Sequence, residues 1–326
     1  MRRLIFSSFG EPAQVLALDE APAPEPRAGE VRVRLSARPI HPSDLLTLRG
    51  QYGHLPRLPA VPGCEGAGVI DALGAGVSGW RIGRRVIPAG TEATWQEFIT
   101  VPADRLIPVP DSLADDAACQ ALVNPLTAHL LLFDALEAKE GDWVAQTAAG
   151  SAVGKAVIRL AARRGVNLIN LVRRRAGAAE IAAIGGANVV VTAEEDLARR
   201  LAEITGGKPV LKALDAVSGV VGAKLASALA PGAKLVIYGA LAMQPAMLDP
   251  RRFIFGQLTV TGFWLPDWLR ASPRARIAPI VAELMTLIAA GDIVLPVAAR
   301  YDLGDFAEAV AAAERPNRGG KVILTG

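Results

Sequence analysis

Apolar residues change their spacing part-way along the chain. From residue 1 to about 118 they come in short runs (Leu4–Phe6, Val31–Leu35, Ala67–Ala72, Arg85–Pro88, Glu97–Val101), separated by dense Pro and Gly, which predicts a β-rich, barrel-like domain. From about Asp116, long Ala/Leu/Val stretches with helical spacing alternate with β-branched runs at Asn188–Thr192, Leu211–Val217, Lys234–Tyr238 and Leu258–Phe263. Strands alternating with helices predict an α/β fold with a doubly wound parallel sheet. After Trp264 follow an amphipathic helix (Ile277–Ala290), the run Val294–Arg300, a second helix (Asp305–Glu314) and a closing strand, Lys321–Leu324. The nucleotide-type sheet already has its six strands, so this tail is expected to return to the first domain. The expected division is therefore residues 1–118 with 266–326, and 119–265.

The second domain is organised around Trp143–Arg175. The run Trp143–Gln146 meets the small residues Thr147–Ala152, and Gly154–Ala162 then sets Ala156, Val157, Leu160 and Ala161 on one helical face. Small residues in such a turn let a backbone approach a pyrophosphate, while the following helix aims unpaired N–H groups at it. The turn departs from G-x-G-x-x-G: Ala149 and Ser151 hold the first two glycine positions, Gly150 lies between them, and Gly154 holds the third. At the end of the next strand, Asn167–Val172, the usual ribose-binding carboxylate is replaced by Arg173, Arg174 and Arg175. Guanidinium groups without a carboxylate suit a 2′-phosphate, so NADPH is expected rather than NADH. An ordinary small-residue turn and a solvated basic helix start are the alternatives.

Composition narrows the partners. The 35 basic and 32 acidic residues nearly balance, giving +3, and the paired arginines lack aromatic interleaving, which argues against nucleic acid. No apolar stretch is long enough for a membrane span, and the N-terminal run is too short for a signal h-region. Two cysteines, Cys64 and Cys119, cannot build a disulfide framework and suit a reducing compartment, so a cytoplasmic location is expected.

The runs LRGQYG, LPAVPGCEGAGVI, ALVNPLTAH, INLVRRR, VIYGALA and LTVTGFWL, in this order and within the two-domain pattern, resemble the zinc-independent medium-chain dehydrogenase/reductases. They are most similar to mitochondrial-type trans-2-enoyl thioester reductases, and next to quinone oxidoreductases of the zeta-crystallin type. The resemblance implies a Rossmann domain joined to a GroES-like catalytic domain. It also implies a homodimer, which an uncharged strand at Leu258–Phe263 would suit.

For the chemistry, the resemblance implies that Tyr52 is the proton donor. A phenol can donate to an enolate formed when hydride adds to the β-carbon of an enoyl thioester or enone. It places Asn124 near the nicotinamide, Gly150, Ser151, Ala152 and Val153 on the pyrophosphate, and Arg173 and Arg175 on the 2′-phosphate. Tyr238, Gly239, Ala240, Leu241, Phe263, Trp264, Leu265 and Lys321 complete the implied cofactor set. Trp95, Trp264 and Trp268 could line an acyl pocket, or could be packing residues. His41 and Cys64 stand where metal-dependent members carry zinc ligands, but the third ligand position falls in an apolar stretch near Val123, so no metal is expected. Zinc-independent relatives usually carry Asn in place of His41. A quinone substrate and a non-catalytic NADPH-binding role are the alternative functions.

Overall fold

The computed structural model describes residues 1–316 and 318–326. The chain forms two compact units, Met1–Val123 with Trp268–Gly326, and Asn124–Asp267, so the changeovers fall at 123/124 and 267/268 where the sequence reading put 118/119 and 265/266.

The discontinuous unit holds β1 (Arg2–Phe6), β2 (Leu16–Glu20), β3 (Glu30–Pro39), β4 (Ala67–Leu73), β5 (Arg85–Pro88), β6 (Phe98–Pro102) and β7 (Leu106–Pro108). The contiguous unit holds β8 (Trp143–Gln146), β9 (Asn167–Val172), β10 (Val189–Val191), β11 (Lys212–Asp215), β12 (Lys234–Ile237) and β13 (Thr259–Gly262). The chain then returns to the first unit with β14 (Val297–Asp302) and β15 (Lys321–Thr325).

In the first unit the strand order is β14-β15-β3-β4-β5-β7, with β6 also on β3. The returning tail therefore adds strands to the sheet of the N-terminal part, as Ile323 opposite Pro39 shows. Alternation along β3 buries Val31, Val33 and Leu35 with Ile70, Val86 and Ile99. Each such side chain contributes about 1.5–3 kcal/mol of burial. A second cluster gathers Leu4, Phe6, Leu48, Trp95 and Leu324. Trp95 is 0% exposed within it, so it is a packing residue of this core and lines no acyl pocket. Arg38 is also fully buried, and its guanidinium donates to the carbonyls of Leu35, Gln96, Leu324 and Gly326, linking β3 to β15.

The second unit is a six-stranded parallel sheet of order β10-β9-β8-β11-β12-β13. Its central strands β8, β9 and β11 are largely buried on both faces, as expected where helices cover both sides. The helix Leu197–Thr205 shows how the sequence sets the ends of these elements: the Asp196 carboxylate accepts from Arg199 N–H at 2.8 Å, and Gly206 closes the helix at φ 63°. Among the described residues β13 pairs only with β12, and it is largely exposed, an open edge. Among the described residues no helix is long and apolar enough to cross a membrane.

Candidate active site

In the nucleotide-type unit, the predicted residues follow the carboxyl ends of the strands. Thr147 to Val153 come directly after β8, Arg173 and Arg175 after β9, Tyr238 to Leu241 after β12, and Phe263 to Leu265 after β13. Ligands of open parallel sheets bind at this end, where the strand order reverses between β8 and β11. Ala148 turns the chain at φ 49°, and Ser151 N–H donates to Ala148 O at 2.8 Å. Ser151 is the N-cap of the helix Ala152–Arg163, its Oγ accepting from Gly154 N–H at 3.0 Å. A Cβ on Gly154 would lie 2.6 Å from both Ala148 O and Ala149 O, so only glycine lets the helix start this close to the turn. At Gly150 nothing lies within 4 Å of the same position: that side of the turn is open.

Among the buried polar atoms without a partner are two on predicted site residues, the Nδ2 of Asn124 and the hydroxyl of Tyr238. Asn124 lies inside the helix Val123–Leu130 and caps nothing. Burial pushes the Tyr238 phenol up, with Asp215 adding to the shift and the neighbouring Ser151 hydroxyl opposing it. Orphaned donors are costly unless a ligand uses them. Together with the open face of Gly150, they fit a nicotinamide dinucleotide. Arg173 is exposed and makes no ion pair among the described residues, whereas Arg175 is held by Glu194 at 2.5 Å. Leu241 is exposed and Leu265 buried.

The sequence reading missed a buried polar layer beneath this turn. Asp215, 0% exposed, accepts from Thr147 Oγ1 at 2.7 Å and from the Val217 and Ser218 amides. Gln146 and Asn170, register partners on β8 and β9, are joined at 2.7 Å, and Gln146 also donates to Gly154 O. The available signal was a polar residue closing each apolar run: Gln146 after WVA and Asp215 after KAL.

In the first unit, one short helix, Pro42–Leu48, separates two of the singled-out residues. His41 is its N-cap. At its other end Gly50 adopts φ 70°, Gly50 N–H donates to Thr47 O and Gln51 N–H to Leu46 O, the paired closure of a Schellman motif. Tyr52 follows that closure directly, half-buried in an irregular loop. His41 is buried with Glu65 and Lys321: Nε2 lies 2.8 Å from Glu65 Oε2, and Nδ1 lies 3.0 Å from Lys321 Nζ. Glu65 Oε1 accepts from the Leu122 and Val123 amides at 2.7 Å each. Burial, reinforced by Lys321, lowers the His41 pKa to about 3, so the ring is neutral and its contact with Glu65 is a hydrogen bond and not an ion pair. Burial, with Asp44 and Glu65 nearby, pushes the Cys64 thiol well up.

These residues do not fit zinc. Both ring nitrogens of His41 are engaged, Cys64 is held as a thiol, and no trio of His, Cys, Asp or Glu among the described residues is arranged to hold a metal ion. Lys321 lies against His41 and is 6% exposed, although the sequence reading grouped it with cofactor contacts. A recess of about 260 Å³ lined by Ala89, Arg105, Leu269 and Ile277 contains none of the predicted site residues.

A six-stranded parallel sheet with a glycine-containing turn at its switch point, joined to a β-rich unit by a returning tail, defines a two-domain nucleotide-dependent dehydrogenase architecture. The chain belongs to the medium-chain dehydrogenase/reductase superfamily. Residues 27–111 match the alcohol dehydrogenase GroES-like domain, and residues 152–283 match the family described as zinc-binding dehydrogenase. The latter range contains neither His41 nor Cys64. The chain is 34% identical to the mitochondrial enoyl-[acyl-carrier-protein] reductase of Homo sapiens, over 100% of this chain and 88% of that protein. Among solved structures it is similar to a candidate NADPH:quinone reductase of Bacillus thuringiensis (31% identity, TM-score 0.94, 100% and 98% of the two chains). It is also similar to the Escherichia coli quinone oxidoreductase complexed with NADPH (27%, TM-score 0.89, 100% of both).

The expected cytoplasmic location is overturned by these relatives, whose curated members are mitochondrial in animals and in Arabidopsis thaliana. Scarce cysteines and the lack of a secretory h-region do not distinguish one reducing compartment from another.

Proposed function

We propose that this protein is an NADPH-dependent reductase of trans-2-enoyl thioesters. The observation that carries the reading is the match, along the whole chain, to enoyl-[acyl-carrier-protein] reductases, with Tyr52 placed directly after the capped helix that begins at His41. Bound NADPH would supply hydride to the β-carbon. Asn124 and Tyr238 would satisfy their orphaned polar atoms on it, Gly150 to Val153 would face its pyrophosphate, and Arg173, with Arg175, its 2′-phosphate. Tyr52 would donate to the developing enolate oxygen or deliver the proton. The open edge of β13 supports a homodimer joined there.

A quinone substrate is the second reading, favoured by the two solved quinone reductases that superpose on the whole chain; a non-catalytic NADPH-binding protein is the third. NADPH oxidation measured with crotonyl-CoA, with a quinone and with neither separates the three. Tyr52→Phe keeps the ring and removes the hydroxyl, so it should lower enoyl thioester turnover by about two to four decades while NADPH binding is kept. Full turnover in Tyr52→Phe would remove this residue from the mechanism, and quinone turnover alone would overturn the enoyl reading.

A further inference from the structure

The buried cluster at the start of the helix Pro42–Leu48 holds more charge than the proposed reaction uses. His41, Glu65 and Lys321 are 2%, 0% and 6% exposed. An ammonium has donors and no acceptor, so the 3.0 Å contact from Lys321 Nζ requires the lone pair of His41 on Nδ1. The ring proton then sits on Nε2, where Glu65 Oε2 accepts it at 2.8 Å. The Lys321 contact sets the tautomer, and the Glu65 contact is compatible with it. Lys321 also donates to Ile40 O at 3.3 Å, and the Asp44 carboxylate accepts from the His41 backbone N–H at 2.8 Å. The charged and titratable groups facing the imidazole are Asp44 on its own helix, Cys64 and Glu65 on the following loop, Lys321 on β15 and the half-buried Arg318 just before it.

We propose that Lys321 is the resident cation at the place where metal-dependent members of the superfamily hold zinc, and that His41 is the positioning residue that fixes it there. A divalent ion would have to take the His41 lone pair that the ammonium occupies, and would meet a second positive charge about 3 Å from that nitrogen. The Cys64 thiol, destabilised as an anion by burial and by Asp44 and Glu65, offers no thiolate in compensation. An ammonium differs from a metal in one chemical respect: it can donate a hydrogen bond, but it has no open coordination position for a substrate oxygen. The cluster is thus built for fixed charge and hydrogen bonding. The inference uses residues of one unit and holds whichever substrate is reduced.

The test is spectroscopic and needs no substrate. In [15N]histidine-labelled protein, the His41 signals, assigned by their loss in His41→Asn, should be those of an Nε2–H ring with an unprotonated, hydrogen-bonded Nδ1 from pH 5 to 8. Lys321→Met should shift the Nδ1 resonance and leave Nε2 in place, whereas Glu65→Gln should shift chiefly Nε2. Cobalt(II) added to the wild-type protein should give neither a d–d nor a thiolate charge-transfer band. A protonated Nδ1, an Nδ1 indifferent to Lys321→Met, or a cobalt–thiolate band in the wild type would each overturn the proposal. The cobalt measurement on the wild-type protein decides it even if a variant does not fold.

Discussion

Two glycines four residues apart in the nucleotide turn should respond in opposite ways to the same added methyl group. At Gly154 the new Cβ would meet Ala148 O and Ala149 O at 2.6 Å and Ala149 C at 2.8 Å, all backbone atoms that cannot swing aside. Overpacking of this kind costs about 1–3 kcal/mol. Displacing Gly154 N–H from the Ser151 hydroxyl adds about 1 kcal/mol, and the better helix propensity of alanine returns about 1 kcal/mol. Gly154→Ala is therefore expected to be about 1–3 kcal/mol less stable, and to bind NADPH at least about tenfold more weakly because the turn has moved. At Gly150 nothing lies within 4 Å, so Gly150→Ala should unfold within about 0.5 kcal/mol of the wild type. Its methyl would nevertheless project into the space proposed for the pyrophosphate, and NADPH binding should weaken by at least about tenfold. Urea unfolding midpoints and fluorescence titrations with NADPH measure the two quantities separately. Wild-type stability in Gly154→Ala, or wild-type affinity in Gly150→Ala, would refute the reasoning.

Arg173 makes no ion pair among the described residues while Arg175 must leave Glu194 to reach a ligand, so Arg173→Ala should cost about 1.5–3 kcal/mol of NADPH affinity and Arg175→Ala less. Calorimetric titration of both variants checks the order, and equal affinity of the wild type for NADPH and NADH would remove the premise. His41, kept neutral in the folded protein with a pKa lowered to about 3, takes up a proton more readily when unfolded. Its contribution to stability is whole above the unfolded value near 6.5 and is lost as pH falls, at about 1.4 kcal/mol per unit, or about 2 kcal/mol between pH 6.5 and 5. Unfolding at pH 7 and pH 5 should show this loss reduced in His41→Asn; an identical slope in both proteins would contradict the burial of a neutral ring.

The parallel sheet was legible because each strand is a short apolar run between helices, so β8, β9, β11, β12 and β13 lie within a residue or two of the runs read from the sequence. The tail's return was legible from counting strands. What could not be read was the environment of single polar groups. Nothing in IHPSD says that both His41 nitrogens meet partners, because Glu65 is 24 residues away and Lys321 is 280 residues away. Trp95 looked available for a pocket, since an indole in a Gly/Thr-rich stretch gives no sign of the core that closes over it. The switch from an open arginine at 173 to a paired one at 175 depends on Glu194, beyond the next strand.

The attachment of β15 to β3 through Arg38 and the Ile323–Pro39 pairing also bears on how the protein is made. A ribosome delivers the Ala37–Pro39 end of β3 almost three hundred residues before β15, the strand that pairs with it, while β6 covers the rest of that edge. The contiguous unit, Asn124–Asp267, can therefore acquire its full sheet while the edge of β3 is still without its neighbour. Until β15 is made, the backbone amides and carbonyls at Ala37–Pro39 are unused groups of the kind that pair with other chains. The residues of β15 are thus the ones that close one of the earliest-made parts of the fold.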